Sequence, residues 1–331
     1  MPQNDETRMK KAAFITGITG QDGSYLAEFF LSKNYKVIGL VSSKNDIGDQ
    51  NIKHFKKNLT LETGDLLDKK SLKKAILKHR PREIYNLGGI TFVPTSWEKP
   101  SLTFDINALG PTRILEIIRD HLPKTRFYQA TTSKIFGKSK TKIQTEKTPF
   151  NPVDPYSVSK VAAHLTVKTF REKFNLFACS GILYNHESPR RGPEFVTRKI
   201  TQGAVKIKLG LAKDLSLGNL DAQQDWGYAP DYVEAMWLIL QHKKPDDFII
   251  CTGKLHSVKD VCKIAFSHLG LDYKKYVKKD PCFYRKIEAG ANVGSISKAK
   301  KILGWKPRTS FEKMIKIMVA NDLELLKREK L

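Results

Sequence analysis

Apolar and polar positions alternate in blocks along the first half of the chain. AAFIT at 12–16 and KVIGLV at 36–41 are short continuous apolar runs of strand type. Between them Tyr25, Leu26, Phe29, Phe30 and Leu31 recur at helical spacing. Strand–helix alternation then continues. LTLETGD, EIYNLGG, TRFYQATTS and NLFACSGILYN read as strands, separated by DKKSLKKAILKH, NALGPTRILEIIRDHL and SKVAAHLTVKTFREKF as helices. Strands that are apolar throughout, with a helix after each, predict a parallel sheet covered on both faces. The pattern loosens after residue 187. HESPRRGPEFVTRKI is turn-rich, and helical periods return in TRKITQGAVKIKLG, DYVEAMWLILQH, SVKDVCKIAFSHLG and SFEKMIKIMVANDLELLKREK. The expectation is an α/β fold: a Rossmann doubly wound parallel sheet over 11–187 and a smaller α/β substrate lobe over 188–331 that interleaves with it. Residues 1–10 read as a disordered tail without the apolar stretch of a secretory signal.

Composition changes this picture little. The 331 residues are 40% hydrophobic, enough for a sizeable core, and no apolar run of transmembrane length occurs. The formal net charge of +24 is large. Its lysines are scattered through KKSLKKAILKHR, VKIKLGLAK and DYKKYVKKD rather than set in a nucleic-acid-binding pattern, so neither a nucleic-acid nor a membrane partner is expected. Cys179, Cys251, Cys262 and Cys282 form no CxxC pair or zinc spacing; free thiols, no metal and a cytoplasmic location are expected.

Two motifs carry chemistry. TGITGQDG at 16–23 lies between a strand and a helix, the context a dinucleotide fingerprint requires. Gly17 permits a tight turn, Gly20 close approach of a pyrophosphate, and Gly23 helix–strand packing. Thr19, Gln21 and Asp22 complete the turn. Asp65 and Leu66 of TGDL are placed to touch an adenine. Leu87, Gly88 and Gly89, with Thr91 just beyond, close the fourth strand beside the pyrophosphate. At the end of the second strand neither Val41 nor Ser42 is an acid or an arginine, and Ser42, Ser43 and Lys44 could meet a phosphate. NAD is the expected cofactor, with NADP as the alternative. The second motif is PYSVSK at 155–160. Tyr156 and Lys160 lie four apart and share a helix face. A neighbouring ammonium lowers a phenol's pKa and makes it a usable base. Thr132 supplies a hydroxyl from the preceding strand.

With these pieces in place the chain resembles the extended short-chain dehydrogenases, and within them the GDP-mannose 4,6-dehydratase family. The resemblance rests on GITGQDGSYLAE, TGDL, YNLGG, FYQATTS, NHESPRRG, EFVTRKI, LGNLDA, DWG, DYVEAMWL and GWKPR, and covers nearly the whole chain after residue 10. It implies a GDP-sugar substrate. It implies oxidation at C4, loss of the C5 proton and C6 hydroxyl, and return of hydride to C6. It also implies that the family's elimination glutamate falls at Lys134. Its cofactor-side arginine pair falls at Ser42 and Ser43, a tyrosine at Leu102 and an arginine at Gln224. His186 and Arg191 match cofactor-side positions. Asn185, Lys199, Gly218, Arg285 and Glu288 match nucleotide-sugar positions. A cation at 134 leads to the expectation of a GDP-sugar 4-dehydrogenase that does not expel water, acting on a manno-configured hexose or heptose. The alternatives are a true 4,6-dehydratase with an altered base, or a non-catalytic nucleotide-sugar binder. A homodimer is expected, with a tetramer as the alternative.

Overall fold

The computed structural model describes residues 11–42, 50–283 and 291–329. The expected tail at 1–10, and Ser43, Lys44, Arg285 and Glu288, lie outside the described residues. The chain divides into two compact units. One holds Met1–Ile135, Asp154–Ile182 and Val233–Phe248; the other holds Phe136–Val153, Leu183–Tyr232 and Ile249–Leu331.

The first unit contains most of a seven-stranded sheet; Leu183, Ile249 and Ile250 of that sheet fall in the second. The sheet's strands in chain order are β1 (Ala12–Thr16), β2 (Lys36–Val41), β3 (Thr60–Thr63), β4 (Glu83–Asn86), β5 (Arg126–Thr132), β6 (Ala178–Leu183) and β7 (Phe248–Ile250). They lie side by side as β7-β6-β5-β4-β1-β2-β3. β1 pairs in parallel with β2 and β4, β2 with β3, and β4 with β5. The order reverses beside β1, which creates a crevice at the carboxyl ends of β1 and β4, where open sheets of this kind bind ligands. Helices α1 (Gln21–Ser32), α2 (Lys69–His79), α3 (Gly110–His121) and α4 (Pro155–Phe174) belong to this unit. Phe14, Ile38, Ile84 and Phe127 from the strands pack with Leu72 and Ile76 of α2 and with Ile114 and Ile118 of α3. These apolar faces are the ones that the sequence periods require to be buried.

The second unit has its own core. Helices α5 (Val196–Lys208), α7 (Val258–His268) and α8 (Phe311–Glu329) bury Ile200, Ala204, Val261, Phe266, Met314 and Met318 together; α6 (Ala229–Gln241) precedes α7 in the chain. Two-stranded pairs complete the unit. Among them Asn185–Glu187 pairs in parallel with Trp226–Tyr228. A buried ion pair between Arg198 of α5 and Asp322 of α8 ties the two helices.

Two elements differ from the sequence reading. NLFACSGILYN is not one strand: it breaks at Tyr184 into β6 and Asn185–Glu187, which take different partners. The helix expected from 107 begins as a π-helical segment, Asp105–Leu109, and becomes α-helical only at Gly110. Pro111, lacking an N–H, cannot join a regular hydrogen-bond ladder across this point.

Candidate functional site

The glycine turn joins β1 to α1. Gly17 has φ of 68°, and a Cβ there would lie 2.8 Å from the Gly88 backbone nitrogen. A Cβ on Gly23 would stand 2.1 Å from the Gly17 oxygen. Both positions exclude any side chain, so the turn lies flat against the carboxyl end of β4. α1 starts after Gly20 without a side-chain cap. A helix N-terminus directly after a glycine turn is the place where a dinucleotide fingerprint sets its anion. Gln21 and Gly23 are buried; Thr19 and Asp22 are half-buried, and Gln21 donates to the Asp22 carboxylate at 3.1 Å. Ser42 is half-buried at the end of β2, and Leu87 is half-buried, whereas Gly89 and Thr91 are exposed.

The TGDL pair separates. Leu66 is buried and packs where a Cβ on Gly110 would lie, 3.2 Å from its own Cβ. Asp65 is exposed, and its carboxylate accepts from the Leu67 N–H at 3.0 Å, a turn-forming contact.

Tyr156 and Lys160 sit in the first turns of α4. A capping box fixes that end. The Ser157 N–H donates to Asp154 Oδ1 at 2.7 Å, the Ser157 hydroxyl faces the Asp154 N–H at 3.2 Å, and Pro155 occupies the first turn. Tyr156 is 8% exposed and Lys160 4%. The ammonium of Lys160 donates to the Ala130 carbonyl at 3.0 Å and lies 6.0 Å from the centre of the Tyr156 ring. It also lies 3.7 Å from where a Cβ on Gly89 would be. Burial lowers its pKa to about 8, and the charge of Asp22 at the glycine turn pulls it back up. Thr132 ends β5 and is buried; its hydroxyl accepts from the Lys134 N–H at 3.3 Å. Lys134 is half-buried in the 3-10 turn Ser133–Phe136. Glycine turn, Gly88–Gly89, Thr132, Lys134, Tyr156 and Lys160 all belong to the first unit.

The remaining predicted residues belong to the second unit. Asn185 donates to Gln224 Oε1 at 3.5 Å, across neighbouring short strands. His186 is buried, with Nδ1 2.7 Å from the Tyr184 carbonyl and its ring stacked 4.6 Å from Tyr232. Arg191 lies 3.3 Å from Glu187 Oε2, with its guanidinium 3.4 Å over the Phe195 ring. Lys199, in the first turn of α5, has its pKa lowered by burial, and Gly218 follows the strand Leu215–Leu217.

One residue that sequence reasoning missed is Asn107. Its amide accepts from the Ile90 N–H and donates to the Ile90 carbonyl, both at 2.9 Å, and donates to the Ser159 hydroxyl at 3.2 Å. It thereby holds the Gly89–Ile90 turn against α4. No signal in the sequence marked it, because Asn107 opened the expected helix, where asparagine is an ordinary start residue.

Among the described residues no group of three metal-ligating side chains occurs, and no helix is long and apolar enough to cross a membrane. Cys179, Cys251 and Cys262 are buried free thiols, and Cys282 is exposed.

Comparison with known proteins bears on this arrangement. The family model described as GDP-mannose 4,6 dehydratase matches residues 14–318. GDP-mannose 4,6 dehydratase 2 of Arabidopsis thaliana is 48% identical, covering 99% of this chain and 92% of that protein. The human GDP-mannose 4,6 dehydratase is 43% identical, covering 96% of this chain and 93% of its own length. Among solved structures, a UDP-glucose 4-epimerase from Thermotoga maritima with UDP-glucose superposes with a TM-score of 0.84 at 22% identity, covering 95% of this chain and 99% of its own. A dTDP-glucose 4,6-dehydratase from Bacillus anthracis in complex with NAD gives 0.83 at 21% identity, covering 96% and 98%. These structures confirm the Rossmann-type α/β fold. The expectation of a 4-dehydrogenase that does not expel water is overturned, because the relatives that match nearly end to end at 41–48% identity carry the dehydratase name. A lysine at one position was too narrow a basis for excluding elimination. The extent of the family match and the full-length identity establish that this chain belongs to the GDP-mannose 4,6-dehydratase family.

Proposed function

We propose that this protein is a nicotinamide-dependent 4,6-dehydratase acting on a GDP-linked manno-configured sugar. The observation that carries the reading is Lys160, buried between the Tyr156 ring and the Ala130 carbonyl and beside Gly89, in a chain of this family. Gly17, Gly20, Gly23 and Gly88–Gly89 offer a side-chain-free cradle at a helix N-terminus that fits a dinucleotide pyrophosphate, with Thr19, Gln21, Asp22, Leu66 and Leu87 around it. NAD is the form we infer, since neither Val41 nor Ser42 carries a guanidinium for a 2′-phosphate. A nicotinamide held there would supply the hydride chemistry between C4 and C6 of the sugar.

The chain's own residues do the rest. The Lys160 ammonium stabilises the Tyr156 phenolate, which takes the proton of the C4 hydroxyl. Thr132 holds that hydroxyl in place. Once C4 is a ketone the C5 proton is acidic. Lys134 takes it through its amine and passes it to the departing C6 hydroxyl, which leaves as water; the proton that Tyr156 took from the C4 hydroxyl goes to C5 when hydride reaches C6, and the site returns to its starting state. Asn185, Lys199, Gly218, Gln224, Arg285 and Glu288 are proposed to hold the GDP-sugar, with His186 and Arg191 on the cofactor side. The reading is tested by incubating purified protein with GDP-mannose and a GDP-manno-heptose and weighing the products. Loss of one water supports it. Loss of two hydrogens, or no change with either sugar, overturns it.

A homodimer is the assembly we infer. Trp97 (58%), Leu102 (37%), Leu109 (50%), Val158 (39%) and Leu165 (45%) are exposed apolar side chains on the 93–109 segment and on α4, a concentration that a second copy would cover.

A further inference from the structure

Three adjacent strands of the sheet carry buried polar side chains that meet one another: Thr16 on β1, Asn86 on β4 and Gln129 on β5, none more than 1% exposed. They are joined in one line. The Thr16 hydroxyl donates to Asn86 Oδ1 at 2.6 Å. Asn86 Nδ2 donates to Gln129 Oε1 at 2.8 Å, and Gln129 Nε2 donates to the Ala130 carbonyl at 2.9 Å. That carbonyl is the one that accepts from Lys160. At the other end Thr16 Oγ1 accepts the N–H groups of Leu87 at 3.1 Å and Gly88 at 2.9 Å.

Both ends force the direction of the line. Backbone N–H groups can only donate, so Thr16 accepts them and spends its single proton on Asn86. The Ala130 carbonyl can only accept, so Gln129 must present its NH2 group, which turns its oxygen toward Asn86. An apolar sheet interior would avoid the cost of burying these groups, about 1–3 kcal/mol for each one left unpaired. What the line holds in return is the acceptor of the Lys160 ammonium and the backbone against which Gly17 packs.

We propose that Gln129 is a positioning residue for Lys160, and that the line from Thr16 through Asn86 links the Lys160 ammonium to the Leu87–Gly88 backbone beside the glycine turn. The kinetic consequence rests on the dehydratase reading; the linkage itself does not. The groups facing Lys160 are Tyr156 on its own helix and Asp22 at the start of α1, whose charge favours the ammonium. Burial opposes it and brings the pKa to about 8. A carbonyl held in place favours the charged form, so releasing that carbonyl lowers the pKa further.

The test is NMR titration of the full-length protein labelled at lysine Nζ, with the Lys160 signal assigned by its loss in Lys160→Met. In Gln129→Met, which removes both hydrogen-bonding ends at similar volume, Lys160 is expected to titrate lower by about half a unit, a roughly threefold change in its proton affinity. Thr16→Val, at the far end, is expected to move it in the same direction, and Thr16→Ser to titrate like the native chain. In dehydration assays Gln129→Met is expected to shift the alkaline limb of kcat to lower pH with KM unchanged. An unchanged Lys160 titration in folded Gln129→Met overturns the positioning role, and in folded Thr16→Val it overturns the link to the glycine turn. Should Gln129→Met not fold, Thr16→Val decides the proposal alone. A shifted titration in a protein that dehydrates no GDP-sugar leaves this inference standing and removes the functional reading instead.

Discussion

The buried ammonium of Lys160 must weaken the fold at neutral pH, and by an amount that can be measured. Its pKa is about 8 in the folded chain against 10.5 for a free lysine, with burial as the main cause. The folded value is the lower one, so between these two pH values the unfolded chain binds more protons, and native stability rises with pH across that window. Linkage gives a penalty of about 3 kcal/mol at pH 7, falling to about 1 kcal/mol at pH 10. Lys160→Met removes the titration while keeping an unbranched chain of similar length in the same space. The substitution also loses the bond to the Ala130 carbonyl, but that loss is the same at both pH values and cancels. The stability difference between variant and native protein should therefore be about 2.5 kcal/mol more favourable to the variant at pH 7 than at pH 10. Urea unfolding of both proteins at the two pH values measures it, and other titrating groups cancel because the two chains share them. A difference that stays constant with pH would mean that the ammonium is not penalised in the fold and that burial does not lower its pKa. Dehydration activity should vanish in the same variant, so that stability and function move in opposite directions.

Four further outcomes are expected. Lys134→Met should reduce water loss from a GDP-sugar by about a hundredfold, the scale of a lost proton-transfer group, while leaving thermal stability within a degree or two in a melting scan. Gly23→Ala places a methyl group 2.1 Å from a backbone oxygen and 2.6 Å from the Ile18 Cα, neither of which can swing aside. It should destabilise by about 2 kcal/mol or more in a urea titration and leave no dinucleotide co-purifying. Asp322→Ala strands the Arg198 guanidinium, 5% exposed, and should cost about 3–5 kcal/mol by the same method, with part recovered in Arg198→Met/Asp322→Leu. Leu109→Lys, on the exposed apolar segment, should shift the mass in light scattering from dimer to monomer.

Much of the fold was legible because parallel strands buried on both faces must be apolar throughout. AAFIT and KVIGLV read as strands on that ground, and the glycine turn announced itself by standing between a strand and a helix. What the periods could not show was choice of partner. Tyr184 interrupts an apolar run without any breaker residue, and only the pairing of Asn185–Glu187 with Trp226–Tyr228, some forty residues away, ends the strand. Arg198 and Asp322 meet across more than a hundred residues, and nothing local distinguishes either from a solvated surface charge. The TGDL motif was visible, but not that Leu66 would turn into the core while Asp65 faced out to cap its own turn.

The site was legible to the same degree and for the same reason. The groups proposed to meet the substrate stand at a fixed spacing, so Tyr156 and Lys160 could be picked out from PYSVSK alone. The groups that hold them need only reach one another through space. Thr16, Asn86 and Gln129 looked like stray polar residues in three separate strands, yet strand order brings β1, β4 and β5 side by side and turns the three into one line. Lys134 teaches the converse. Its position was read from the motif, and its charge was taken to decide the chemistry. An ammonium cannot accept a proton and a neutral amine can, and which of them stands at that place depends on solvent exposure and neighbouring charges that no motif records. The residual water loss of Lys134→Met therefore tests the residue directly, and in the native chain activity should fall on the alkaline side as Lys160, with its pKa at about 8, gives up its proton.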